Sequence, residues 1–133
     1  MTQEDKMLLV KDLSSRLPYA VHVQHISGVS GILHDISIYH KYDENDNIYD
    51  AICYTDFFGD GDSITIEHFK PYLFPLSSMT EEQEKEYNNL NCYELGCFPH
   101  SEEALDYLTK NHFDYRHLIE KGLAIDATGL NIY

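Results

Sequence analysis

HFKPYLFPLSSMTEEQ, residues His68 to Gln83, divides the chain into two kinds of pattern. Before it the apolar residues mostly alternate, as in strands; after it they recur at helical spacing. The stretch itself joins two prolines and several aromatic and aliphatic side chains to a helix start. It reads as the seam where a small sheet hands over to a helical layer. Pro71 cannot donate to a sheet ladder and is expected to end the last strand. Tyr72, Leu73 and Phe74 then belong to the core, beneath the helices. Thr80 reads as an N-cap, with Gln83 closing a capping box and Glu81 and Glu82 in the first turn. This helix runs to about Leu90. Its apolar face is thin, chiefly Tyr87 and Leu90, which marks a surface element.

Upstream, Thr2 to Leu17 reads as an amphipathic helix. Thr2 caps it, Leu9, Leu13 and Leu17 share a face with Val10 beside them, and Met7 and Leu8 widen the stripe. Pro18 stops it. Four alternating segments follow: Tyr19–Ile26, Ile32–His40, Ile48–Asp56 and Ser63–Glu67. In the first, Tyr19, Val21 and Val23 share a face. In the second, Ile32, His34, Ile36 and Ile38 do. In the third, Ile48, Ile52 and Tyr54 lie opposite Tyr49, Ala51 and Cys53. The breaks between them, Ser27–Gly31, Tyr42–Asn47 and Gly59–Asp62, carry turn chemistry, with Asp60-Gly61 a tight-turn signal. This is the pattern of an antiparallel meander.

Downstream, Asn91–His100 is irregular and Ser101 is placed to cap a helix whose stripe is Ala104, Leu105 and Leu108. Asn111 and His112 end it. Asp114 is placed to cap a last short helix holding Leu118 and Ile119, with Gly122 at the position after its end. The tail from Leu123 to Tyr133 is too apolar to dangle and is expected to dock as an extra edge strand. The reading is therefore one α+β domain over residues 1–133. It has an N-terminal helix, a four-stranded antiparallel meander able to curl into a partial barrel, and two or three C-terminal helices.

The 133 residues suffice to bury a core without metal or disulfide,. No apolar run approaches the ~20 residues that span a bilayer, and the N-terminus lacks a basic start followed by an apolar stretch. The expectation is a soluble cytoplasmic protein that binds no membrane. The net charge is −14. Residues 1–18 balance, while residues 19–70 carry nine acids against two lysines and residues 71–133 carry eleven against four bases. Such a surface repels phosphate backbones, so direct nucleic-acid binding is disfavoured.

Two stretches, KPYLFPLSSMTEEQ (Lys70–Gln83) and NHFDYRHLIEKGLAIDATGLNIY (Asn111–Tyr133), resemble small uncharacterised proteins of anaerobic gut bacteria. The resemblance implies a bacterial cytoplasmic setting and a single domain. It brings no activity and no site residue with it.

Cys92, Cys97 and His100, with His112 as a fourth ligand, form the one spacing that suggests zinc. Reduced cysteines without a metal are the simpler reading for a cytoplasmic chain. Asp43, Asn45 and Asn47 begin like a calcium loop, but Ile48 and Tyr54 stand where glycine and glutamate are needed. Asp56, Asp60 and Asp62 are explained by a hairpin turn. The eight histidines form no nucleophile-and-base pattern, and no hydrolase, metalloprotease or nucleotide-binding motif is present,. No catalytic residue, cofactor or metal is assigned.

Phe113, Tyr115, Arg116 and His117 form the densest mix of aromatic and polar groups, the residue types that anchor interfaces. They are the candidate binding residues, against the alternative that Phe113 and Tyr115 seal the last helix to the core. The function expected is a small, acidic, non-catalytic protein-interaction module with an unidentified protein partner, self-association included. The alternatives are an acidic nucleic-acid mimic that occupies a basic partner, and a metal-binding protein or enzyme.

Overall fold

The structure is a computed structural model that describes residues 1–42, 47–56, 62–90 and 102–133. For 39–42, 47–50 and 62 it describes the backbone path alone. It is a mixed α+β fold. Helix α1 (Gln3–Arg16) precedes strands β1 (His22–His25), β2 (Ser30–Tyr42), β3 (Asn47–Thr55), β4 (Asp62–Thr65) and β5 (Phe69–Pro75). Helices α2 (Glu81–Leu90) and α3 (Glu102–Lys110) and the short strands β6 (Phe113–Asp114) and β7 (Ile125–Asp126) follow.

α1 starts where its sequence says. Thr2 Oγ1 accepts the Asp5 amide at 3.0 Å, satisfying one of the otherwise unpaired first-turn donors. Leu9, Val10 and Leu13 are buried against the sheet. Met7 does not widen that stripe; it is 54% exposed, because position 7 lies off the face that Leu9 and Leu13 share.

The sheet departs from the expected meander at its edges. β1 through β4 are neighbours in chain order and antiparallel, but the full order is β4-β3-β2-β1-β5-β6. Pro71 does not end a strand. It sits inside β5, paired with Val23. The ladder explains how it is tolerated. Ile26 N donates to His68 O, which makes Gln24–Lys70 the next hydrogen-bonded pair and Val23–Pro71 a non-bonded one. The missing N–H of proline is therefore not needed there. The chain break falls earlier, at a 3-10 turn over Ile66–His68 that separates β4 from β5. β5 is also paired in parallel by β7, through Tyr72–Ile125, and by β6, through Phe74–Phe113. The described strands form an open sheet.

Two local features shift the expected faces. A 3-10 turn at Leu17–Tyr19 and a left-handed Ala20 (φ 55) delay β1, so Tyr19 is not on the strand with Val21 and Val23. In β2 the register shifts between Leu33 and Asp35. This bulge inserts one residue, so the core face passes from Leu33 to Ile36, and His34 turns to solvent,. On β3 Ala51 and Cys53 are buried, as expected of the face opposite Ile52 and Tyr54, and Thr55 continues that face. Cys53 is buried and is not in a disulfide.

α2 has the expected capping box: Gln83 N donates to Thr80 Oγ1 at 3.2 Å and Thr80 N to Gln83 Oε1 at 3.0 Å. None of its residues is buried. On α3, Ala104 and Leu108 are buried. After β6, residues 117–122 form a single turn instead of a helix. Asp114 caps it, accepting the amides of Leu118 and Ile119 at 3.0 and 2.9 Å. Gly122 (φ 73) closes it, with Gly122 N on Ile119 O and Leu123 N on Leu118 O. That is a Schellman closure, and its two leucines are both in the core,. No helix among the described residues is long and apolar enough to cross a membrane.

Candidate functional site

The C-terminal segment meets α1 at a buried guanidinium. Asp12 and Arg16 stand four apart on α1 and are both fully buried. Arg16 Nε donates to Asp12 Oδ2 at 2.8 Å and Nη2 to Asp12 Oδ1 at 3.1 Å. Nη2 also donates to the carbonyl of Phe113 at 2.6 Å. Arg116 comes from the far end of the chain and adds a third donor, Nη1 to Asp12 Oδ1 at 2.8 Å. The Tyr115 ring lies under both guanidiniums, 5.6 Å from Arg16 and 4.6 Å from Arg116. One carboxylate thus joins residues 104 apart in sequence. Buried ions are tolerated when paired and hydrogen-bonded in this way.

Arg16 binds Asp12 through its Nε and Nη2 edge, so Nη1 points to the other side. The Arg16 charge is felt by His112 and Tyr133. His112, left-handed at φ 62, stacks on the Tyr133 ring. Tyr133 packs edge-on to His22 and 5.8 Å from Phe74. Tyr133 Oη accepts the His22 amide at 2.9 Å and donates to the Tyr72 carbonyl at 2.8 Å. Burial, then Arg16, then His22 push the His112 imidazole down to about 4, so it is neutral at pH 7. Burial pushes the Tyr133 phenol up to about 12. A neutral imidazole beside a phenol that keeps its proton supplies a base without a ready nucleophile. The arrangement serves to anchor the tail.

The four candidate binding residues separate in depth. Phe113 is 2% exposed and packs on Phe74 with ring centroids 6.2 Å apart. Tyr115 is half-buried, and the Arg116 side chain is 18% exposed while tied to Asp12. His117 alone stands out, its side chain 66% exposed and 3.7 Å from the Glu120 carboxylate. It lines a cleft of about 200 Å³ together with Pro75, Leu76, Asp114 and Glu120. Leu76 also lines a second cleft, of about 290 Å³, with Met79, Glu84 and Tyr87. Leu76 is therefore the crest between two hollows, on the 3-10 turn Leu76–Ser78 that links β5 to α2.

Cys92, Cys97 and His100 lie outside the described residues, as do Asp43, Asn45 and Asp60. Among the described residues no three histidine, cysteine or acidic side chains come together as a metal site.

Sequence reasoning missed Asp12 and Arg16. Their signal was present: an acid and an arginine at helical i, i+4 spacing, next to the leucine face. It missed the anchoring role of Tyr133, which depends on a contact 111 residues away in sequence. No family model, no curated protein and no solved structure matches this chain.

Proposed function

We propose that the chain is a small cytoplasmic, non-catalytic protein-interaction module that docks its partner on the Leu76 crest and the clefts beside it. One observation carries this reading. A leucine 37% exposed on a short turn is flanked by concave surface on both sides, the shape that receives side chains of a partner. His117 contributes from one cleft, and Glu84 and Glu120 give the rims negative charge. The partner surface that fits is apolar with basic residues around it. Phe113, Tyr115 and Arg116 pack on Phe74, Arg16 and Asp12 and line neither cleft.

Affinity capture from the native host with wild-type protein and Leu76→Asp tests the reading. A stoichiometric partner that survives high salt and is lost with Leu76→Asp supports it. An identical set captured by both proteins overturns it.

A second reading, an acidic mimic that occupies a nucleic-acid-binding partner, is favoured by the helices. Glu81, Glu82, Glu84 and Glu86 on α2 and Glu102, Glu103 and Asp106 on α3 are all exposed. Its partner is captured equally by Leu76→Asp and washed off at high salt, because salt screens exposed charge pairs.

A further inference from the structure

β2 outruns its neighbour. β1 pairs with it only from Ser30 to Ile32, whereas β3 pairs with it as far as Tyr42. Among the described residues, no strand pairs with the second edge of β2 from Ile36 onward. The ladder fixes which backbone groups point there. Leu33 N donates to Val21 O, so before the bulge odd-numbered residues turn their amides towards β1. The bulge between Leu33 and Asp35 inverts that parity,. After it, Ile36, Ile38, His40 and Tyr42 turn N–H and C=O to the open edge. The Ile36 amide agrees with this: it donates to Asp35 Oδ1 at 2.8 Å. Ile38 is 49% exposed.

We propose that this edge pairs antiparallel with the same edge of a second copy, about a twofold axis at Ile38, to give a homodimer with one continuous sheet. Three arguments select that occupant. An open row of alternating donors and acceptors is matched only by another strand. An antiparallel edge is complementary to itself about a twofold axis, which closes the assembly at two copies. Charge then selects the register. Pairing Ile38 with Ile38 sets Ile36 opposite His40 and Asp35 opposite Lys41, twice by symmetry, and opposite charges across paired strands are stabilising. In the dimer the Ile36 amide passes from Asp35 to the His40 carbonyl of the second copy, which releases the Asp35 carboxylate from its own backbone. The added strands also back the outer end of the β2–β3 ribbon, from Ile38 onward, where among the described residues it has only two strands, an arrangement weakly stable in water by itself.

Sedimentation equilibrium of the full chain over a concentration series tests this. The wild-type chain is expected to show a reversible monomer–dimer equilibrium. Lys41→Asp places acid opposite acid and is expected to weaken the dimer by about tenfold or more. Asp35→Lys combined with Lys41→Asp restores the attraction in reverse and is expected to recover affinity to within about threefold. Ile38→Lys, a charge placed on the edge itself, is expected to leave only monomer. Far-UV circular dichroism confirms that each variant is folded. A wild-type chain that stays monomeric up to about 1 mM, where even weak pairs associate, overturns the proposal. So does a dimer indifferent to Lys41→Asp and Ile38→Lys, or a folded double variant that stays as weak as the single one.

Discussion

The His112 imidazole lies flat on the Tyr133 ring, with centroids 3.6 Å apart and planes inclined by 12°. The stack closes the tail over β5 and keeps the imidazole neutral. Its pKa falls from 6.5 to about 4, chiefly by burial and then by the Arg16 charge. Between those two values the unfolded chain binds more protons than the folded one, so stability is complete above pH 6.5 and is lost as pH falls towards 4. The expected loss from this one group is about 1–2 kcal/mol, less than the full shift implies because the ring keeps part of its solvent. Urea unfolding at pH 7, 5 and 4 measures it. His112→Asn, a residue that accepts the left-handed backbone, is expected to flatten the pH dependence. An unchanged slope in that variant would mean another group is linked.

Asp12 holds two arginines, and removing it leaves both without their shared acceptor. Asp12→Ala is expected to cost about 3–5 kcal/mol, as for other buried pairs broken on one side. Arg116→Ala leaves Asp12 paired with Arg16 and removes a partly exposed side chain, so about 1 kcal/mol is expected. Chemical denaturation ranks the two. A larger cost for Arg116→Ala would show that Arg16 alone does not satisfy the Asp12 carboxylate.

Much of the fold was legible because its signals are local. Thr2, the Thr80–Gln83 capping box and Gly122 each act within a few residues, and each does what its position indicates. The alternating segments identified the four meander strands for the same reason. Non-local pairing was not legible. Nothing near Pro71 says that β5 will run alongside β1 in the register that excuses a proline. The β2 bulge escaped because one inserted residue inverts every later face without altering composition. At the candidate site, the densest cluster drew attention to residues 113–117, but depth sorted them. Phe113 and Arg116 are committed to Phe74 and Asp12, and His117 is the most exposed of the four.

Tyr133 Oη joins two strands, taking the His22 amide and giving its proton to the Tyr72 carbonyl. Tyr133→Phe keeps the stacking and removes both hydrogen bonds. It is expected to cost about 1–2 kcal/mol, since a backbone donor and an acceptor lose their partner. Amide exchange at His22 is the specific readout and should accelerate. Unchanged protection there would mean that the hydroxyl contributes nothing to holding β1. The same phenol, pushed up to about 12, is expected to ionise late in an alkaline absorbance titration. Tyr107, also pushed up to about 12 by burial and by Glu86, should ionise late with it.

Gly122 tests how much the turn over residues 117–122 depends on backbone freedom. Its φ is 73°, and a Cβ placed there meets nothing within 4 Å. Substitution therefore strains the backbone without a clash, which separates the two effects. Gly122→Ala is expected to cost about 1 kcal/mol, and Gly122→Asn about half of that, because asparagine accepts the left-handed region more readily. The turn carries Leu118 and Leu123 into the core, so its loosening should also speed amide exchange at Leu123, whose N–H bonds to the Leu118 carbonyl at 2.9 Å. Thermal unfolding of the two variants beside wild type gives the ranking. Equal costs for alanine and asparagine would mean that tolerance of the left-handed backbone does not decide what this position accepts.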